Sequence, residues 1–131
     1  MNTVEETRAA AEAAHATGLP VWISYLVGSD GNLLSGEPLP SIEADATLVN
    51  CAPPEDIDAA LARTPLKGAY AHVGRFDPPS WKFEFFPQFT GTEEWPPERY
   101  AATARAWQAR GVQIIGGCCG TTPEHVRALK A

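Results

Sequence analysis

Short apolar, β-branched runs alternate along this chain with segments that open on a capping residue or a proline. That alternation limits the fold more than any other feature. The runs are Val21–Val27, Thr47–Cys51, Lys67–Val73 and Val112–Ile115. Continuous apolar stretches this short, bounded by glycine and proline, read as strands buried on both faces. Between them lie helix starts. Thr3 and Glu6 fit a capping box ahead of the alanine-rich run Ala9–Ala16, and Gly18 with Pro20 stops that helix. Pro53-Pro54-Glu55-Asp56 and Pro96-Pro97-Glu98 place proline in a first turn and acids at the positive end of the helix dipole. Thr122-Pro123 opens the last helix in the same way. Ile57 with Leu61, Tyr100 with Ala104 and Trp107, and Val126 with Leu129 are the expected buried stripes. The order α-β-β-α-β-α-β-α predicts a parallel α/β sheet with right-handed crossovers.

Two segments break the rhythm. Residues 33–45 hold Gly36, Pro38 and Pro40, so the first crossover keeps at most a helical turn at Ser41–Ala44. Residues 76–95 read as a long loop with seven of the chain's twelve aromatic residues: Phe76, Trp81, Phe83, Phe85, Phe86, Phe89 and Trp95. A loop of that length serves as a lid or an interface, or packs on the rim of its own domain.

Composition narrows the function classes. With 131 residues, 44% of them apolar and 20% charged, the chain suits one globular domain over residues 1–131. Its net charge of -6 and lack of a basic cluster argue against nucleic acid and against an anionic membrane surface. The longest apolar stretch is far too short to span a bilayer. The polar start with Glu5 and Glu6 lacks the character of a signal peptide, and a cytoplasmic protein is expected. Three cysteines cannot make a complete disulfide framework; in a reducing compartment clustered cysteines serve as metal ligands or catalytic thiols.

Cys51 follows the second predicted strand, and Cys118 and Cys119 follow the fourth. Carboxyl ends of strands are where βα-barrels and open α/β sheets carry their sites. Three thiolates with one open position is the pattern of a catalytic zinc ion. Adjacent residues of a regular strand point to opposite faces, so Cys118 and Cys119 can share one ion only if the backbone departs from β geometry. Gly116, Gly117 and Gly120 supply that freedom. Two other readings stand beside the zinc site: buried small apolar residues next to a glycine turn, and a strained vicinal disulfide or redox centre. His72, ending the third strand, is a fourth ligand, a general base or a substrate contact, or else a hydrogen-bonded rim residue. Asn50 orients the site or touches substrate, Glu37 is a loop carboxylate, and His15 and His125 sit in helices as solvated residues.

The segment Gly116-Gly117-Cys118-Cys119-Gly120-Thr121-Thr122-Pro123 resembles the closing strand and helix of the zinc-dependent homocysteine S-methyltransferases. Val49-Asn50-Cys51 resembles that family's earlier cysteine strand, and Trp22-Ile23-Ser24, Asp30-Gly31 and Leu34-Ser35-Gly36 the strand and loop before it. The likeness runs through nearly the whole chain in the family's order. It implies zinc held by Cys51, Cys118 and Cys119, and methyl transfer from a small donor to the sulfur of homocysteine, giving methionine. The donor is open among S-methylmethionine, a betaine-like compound and a corrinoid-bound methyl. The likeness also implies a partial (β/α)8 TIM-type barrel, roughly strands 5–8 with their helices, since a whole barrel takes about 250 residues. The family's glycine-rich acidic opening strand has no counterpart here, and His72-Val73-Gly74 stands where the family tends to show asparagine before glycine. Four parallel strands leave two unpaired edges. A homodimer or a complementing N-terminal half-barrel chain would close them. A zinc-binding half-barrel acting only by association, and a truncated product, are the alternatives to an enzyme.

Overall fold

Capping chemistry sets where the helices begin. In the computed structural model, which describes residues 1–77 and 88–130, helix α1 runs Val4–His15, with Thr3 accepting from the Glu6 N–H at 3.0 Å. The return bond of the expected capping box reaches one residue further back, to the Asn2 N–H. Strands β1 (Trp22–Tyr25) and β2 (Ala46–Asn50) precede helix α2 (Pro54–Arg63). Strand β3 (Gly68–Tyr70) precedes β4 (Arg75–Asp77) and β5 (Gln88–Thr90). Helix α3 (Pro97–Ala109), strand β6 (Ile114–Ile115) and helix α4 (Pro123–Ala128) complete the chain. Helices α2, α3 and α4 each start on proline, whose missing N–H is no loss in a first turn.

Strands β1, β2, β3 and β6 form one sheet in that order, each parallel to its neighbour. This is the α/β arrangement expected. Tyr25, Val49, Ala69 and Ile115 stand in one row, and Ser24, Leu48, Gly68 and Ile114 in the row before it. Successive rows face opposite sides of a sheet. The first row packs with Ile57 and Ala60 of α2 and with Tyr100, Ala104 and Trp107 of α3 in a single apolar cluster. Trp107 also ties the two helices, its indole N–H donating to Asp58 Oδ1 at 2.9 Å. The second face is open. Trp22 is 59% exposed, and Trp22, Ser24, Leu48, Tyr70 and Ile114 line a shallow cavity of about 290 Å³.

Several expectations change. The first crossover has no helical turn at 41–44. Proline cannot donate and disfavours helix in the residue before it, so Pro38 and Pro40 hold this stretch open. Tyr25 Oη donates to the Pro40 carbonyl at 3.1 Å, and Leu39 and Ile42 pack against the core in place of a helix. An isolated antiparallel bridge joins Val27 to Leu33. The 76–95 loop is no simple loop: β4 and β5 pair antiparallel, with Phe76 opposite Phe89, and a 3₁₀ turn at Thr92–Glu94 follows. Trp81, Phe83, Phe85 and Phe86 of that loop fall outside the described residues. In α4, Val126 is exposed and the buried side chain is His125. Its Nδ1 accepts from the Thr122 N–H at 3.0 Å and its Nε2 donates to the Trp95 carbonyl at 2.8 Å, so it caps the helix and is not solvated. His15 is exposed as expected, with Nε2 at 2.8 Å from the Glu43 carbonyl. Among the described residues no helix is long and apolar enough to cross a membrane.

Candidate metal centre

The third strand is the spine of the site. Beyond the ladder of β3 the chain continues through Ala71, His72 and Val73, all buried. On one side the Cys51 N–H donates to the Tyr70 carbonyl at 3.0 Å and the His72 N–H to the Ala52 carbonyl at 3.1 Å. On the other side the Cys118 N–H donates to the Ala71 carbonyl at 2.8 Å. The ends of β2 and β6 are therefore held at a fixed separation with β3 between them. This is the two-strand spacing expected of the cysteines.

Local backbone then turns the sulfurs inward. Cys51 has φ 47, a left-handed conformation that few side-chain-bearing residues adopt. The expected strand through Cys51 accordingly ends one residue early, at Asn50. At the other wall the ladder slips by one residue. A regular continuation would carry the Val73 N–H to the Cys118 carbonyl; it reaches the Cys119 carbonyl instead, at 3.0 Å. The freed Cys118 carbonyl accepts from Thr121 Oγ1 at 2.6 Å. A slip of this kind lets two consecutive side chains turn to one side. The glycines contribute differently from expectation. Only Gly120, at φ 75, takes a left-handed conformation, and Gly117 instead leaves room for Thr121, whose side chain a Cβ would strike.

The three sulfurs meet. Cys51 Sγ lies 3.7 Å from Cys119 Sγ, and Cys119 Sγ lies 3.9 Å from Cys118 Sγ. All three fall within 4.8 Å of one another, a group that could hold a metal ion. They are free thiols, not a disulfide. Burial pushes the Cys51 thiol up to about 12, helped by Cys118 and Cys119, and burial also raises Cys119. Cys51 and Cys119 thus keep their protons until a cation compensates the charge.

His72 stands outside the sulfur trio. It lines a neighbouring cavity of about 140 Å³ with Glu55, Arg75, Glu94 and Trp95. Burial lowers its pKa, with a hydrogen bond to the Cys51 backbone and then Asp56 and Glu55 opposing. Arg75 and Glu94 pair across this cavity at 3.2 Å, and the Arg99 guanidinium lies 3.9 Å from the centroid of the Trp95 ring. Asn50, next to Cys51, faces the open side of the sheet. Its Oδ1 accepts from Ser24 Oγ at 2.6 Å, and Ser24 Oγ accepts from Tyr70 Oη at 2.9 Å. The sequence reading missed this Ser24–Asn50–Tyr70 chain; the one signal for it was a serine inside an apolar strand. Glu37 is an exposed structural carboxylate that accepts from Ser35 Oγ at 2.7 Å and from the Val4 N–H at 3.2 Å.

Comparison with known proteins follows the same lines. The homocysteine S-methyltransferase family model matches residues 1–131. Betaine–homocysteine S-methyltransferase 1 of Danio rerio is 31% identical over 152 residues, covering 96% of this chain and 37% of that protein. Homocysteine S-methyltransferase 1 of Zea mays is 32% identical over 130 residues, covering 85% of this chain and 37% of that protein. Selenocysteine Se-methyltransferase of Brassica oleracea var. italica is 28% identical over 126 residues, covering 85% and 34%. The chain thus spans little more than a third of the length of these relatives.

Proposed function

The chain belongs to the homocysteine S-methyltransferase family, and we propose that it carries the zinc centre of a methyl-transfer site whose acceptor is the thiol of homocysteine. The observation that carries this reading is the sulfur geometry. Zn–S bonds of about 2.3 Å in a tetrahedron set sulfurs about 3.8 Å apart, and the cysteine sulfurs stand 3.7 and 3.9 Å apart. Cys51, Cys118 and Cys119 would hold the ion and leave one place for substrate. Zinc bound there supplies a charge that keeps the acceptor as a thiolate near neutral pH.

The chain's own residues do the remainder. Asn50, next to Cys51 and fixed through its carbonyl by Ser24, keeps its amide N–H groups as donors for substrate. His72 and its cavity lie beside the site, on the side of the β4–β5 hairpin, where they can contact donor or substrate. A new C–S bond forms to the acceptor sulfur as the donor's bond to its methyl carbon breaks, and the donor leaves with that electron pair. The free thiols suit a reducing, cytoplasmic setting.

We take the four parallel strands as half of a (β/α)8 barrel completed by complementing strands, from a second copy or from an N-terminal half-barrel. The open edges of β1 and β6 also support a second reading, a zinc-binding half that acts only by association. Zinc content and methionine formation test both. The expected result is one zinc per chain, its loss in Cys118→Ser, and methylation of homocysteine by one of several donors. Bound zinc without turnover, alone or with a complementing half, would favour the second reading. A zinc-free protein after zinc-replete purification would remove both.

A further inference from the structure

The ladder between β3 and the strand leading to the cysteine pair has one rung that is not made directly. Donors from the second strand step regularly: the Ile114 N–H reaches the Lys67 carbonyl at 2.9 Å, Gly116 reaches Ala69 at 3.2 Å, and Cys118 reaches Ala71 at 2.8 Å. The matching return rung would run from the Ala71 N–H to the Gly116 carbonyl. Instead the Ala71 N–H donates to Tyr100 Oη at 3.1 Å, and Tyr100 Oη donates to the Gly116 carbonyl at 2.7 Å. A side-chain hydroxyl from α3 is spliced into the sheet. On the opposite side of the same β3 extension the bonds of Cys51 and His72 are direct, so the wedge is confined to the wall that carries Cys118 and Cys119.

We propose that Tyr100 is a positioning residue of the metal centre: its buried hydroxyl holds β3 and the Gly116–Cys118 segment apart and so aims the cysteine pair at Cys51. The inference rests on the zinc reading above. The lever is rigid. Tyr100 is 0% exposed, and its ring meets Trp107 edge-on at 6.1 Å and His125 at 5.8 Å. His125 is itself fixed to Thr122 and Trp95. Removing the hydroxyl leaves the Ala71 N–H and the Gly116 carbonyl without their shared partner. The rung can then close directly, and the backbone two residues before Cys118 moves with it. A hydroxyl needed only for stability would leave the metal geometry of the folded protein unchanged.

Cobalt(II) as an optical stand-in for zinc separates the two roles in the full 131-residue chain. Wild type is expected to show thiolate-to-cobalt charge-transfer bands and tetrahedral d–d bands. Tyr100→Phe, held well below its unfolding midpoint, should bind cobalt at least tenfold more weakly, with an altered d–d envelope. Ala104→Gly, one turn along the same buried helix face, should lower stability without either change. Unaltered affinity and spectrum in Tyr100→Phe would overturn this inference alone. Absent charge-transfer bands in wild type would overturn the zinc reading and this inference with it. Should Tyr100→Phe fail to fold, wild type answers the question, because coupling between two sites is reciprocal. Zinc should then slow hydrogen exchange of the Ala71 amide at least tenfold more than that of Ile57; equal slowing at both would overturn the inference.

Discussion

A histidine buried beside a cluster of thiols sets a sign for pH dependence. Burial holds the His72 pKa below its ordinary 6.5, against the pull of a hydrogen bond to the Cys51 backbone and of Asp56 and Glu55. The unfolded chain therefore binds this proton more readily than the folded one. The stability contributed by keeping the imidazole neutral is present above about 6.5 and is lost as pH falls through the lower folded value. The thermal midpoint of the metal-free chain is expected to drop between pH 7.5 and 5.5, and the drop should be smaller in His72→Gln. Parallel pH profiles for the two proteins would show that His72 is not the group responsible. At this scale the sequence was informative where chemistry is carried by residue type and place: Cys51, Cys118 and Cys119 could be seen at strand ends. It was silent where a role comes from tertiary neighbours. Tyr100 looked like one more member of an apolar stripe, and only the broken rung of the sheet reveals its hydroxyl as a bridge. His125 looked solvated, because a helix of six residues is too short for its periodicity to say which side is covered.

Elements that announce themselves by local backbone rules were legible, and elements made by pairing were not. Proline pairs and Thr122 marked the helix starts within a residue, since capping is decided by a few neighbouring atoms. The β4–β5 pairing was invisible in a proline- and aromatic-rich stretch, because its register depends on partners across the hairpin. The turn after Cys119 shows the same contrast. A glycine there was expected for conformational freedom, and the structure adds a steric reason. Gly120 has φ 75, and a Cβ on it would collide with the Val73 carbonyl, the residue whose N–H anchors Cys119. Gly18 has φ 71 with nothing within 4 Å. Gly18→Ala should therefore cost only the conformational term, about 1 kcal/mol. Gly120→Ala should cost that plus the collision, at least about 2 kcal/mol in all, and should lose zinc retention. Urea denaturation of the two variants gives the ranking directly, and equal costs would show that the Val73 contact yields freely.

Among the described residues the sheet ends in two unpaired parallel edges, β1 and β6, and its open face presents Trp22 at 59% exposure. An exposed edge and an apolar inner face drive association. A twofold axis running along the strands answers both needs at once. It sets β6 of each copy beside β1 of the other, keeps all strands parallel, and brings the two open faces together as a closed interior filled by side chains. The isolated chain, 14.1 kDa as a monomer, is therefore expected to sediment as a dimer. Each copy carries a net charge of -6, so like-charge repulsion opposes the pairing. Raising ionic strength to about 0.5 M shrinks the screening length to about 4 Å, and should tighten the dimer. Most electrostatically held interfaces respond in the opposite direction, so the salt dependence identifies which force closes this one. Trp22→Glu would place a carboxylate in the apolar interior and should weaken the dimer at least about a hundredfold, since a buried unpaired charge is costly. Its far-UV circular dichroism should be unchanged, because Trp22 lies on the open face and away from the helix-packed core. Sedimentation as a monomer at every salt concentration would show that self-association does not close this sheet.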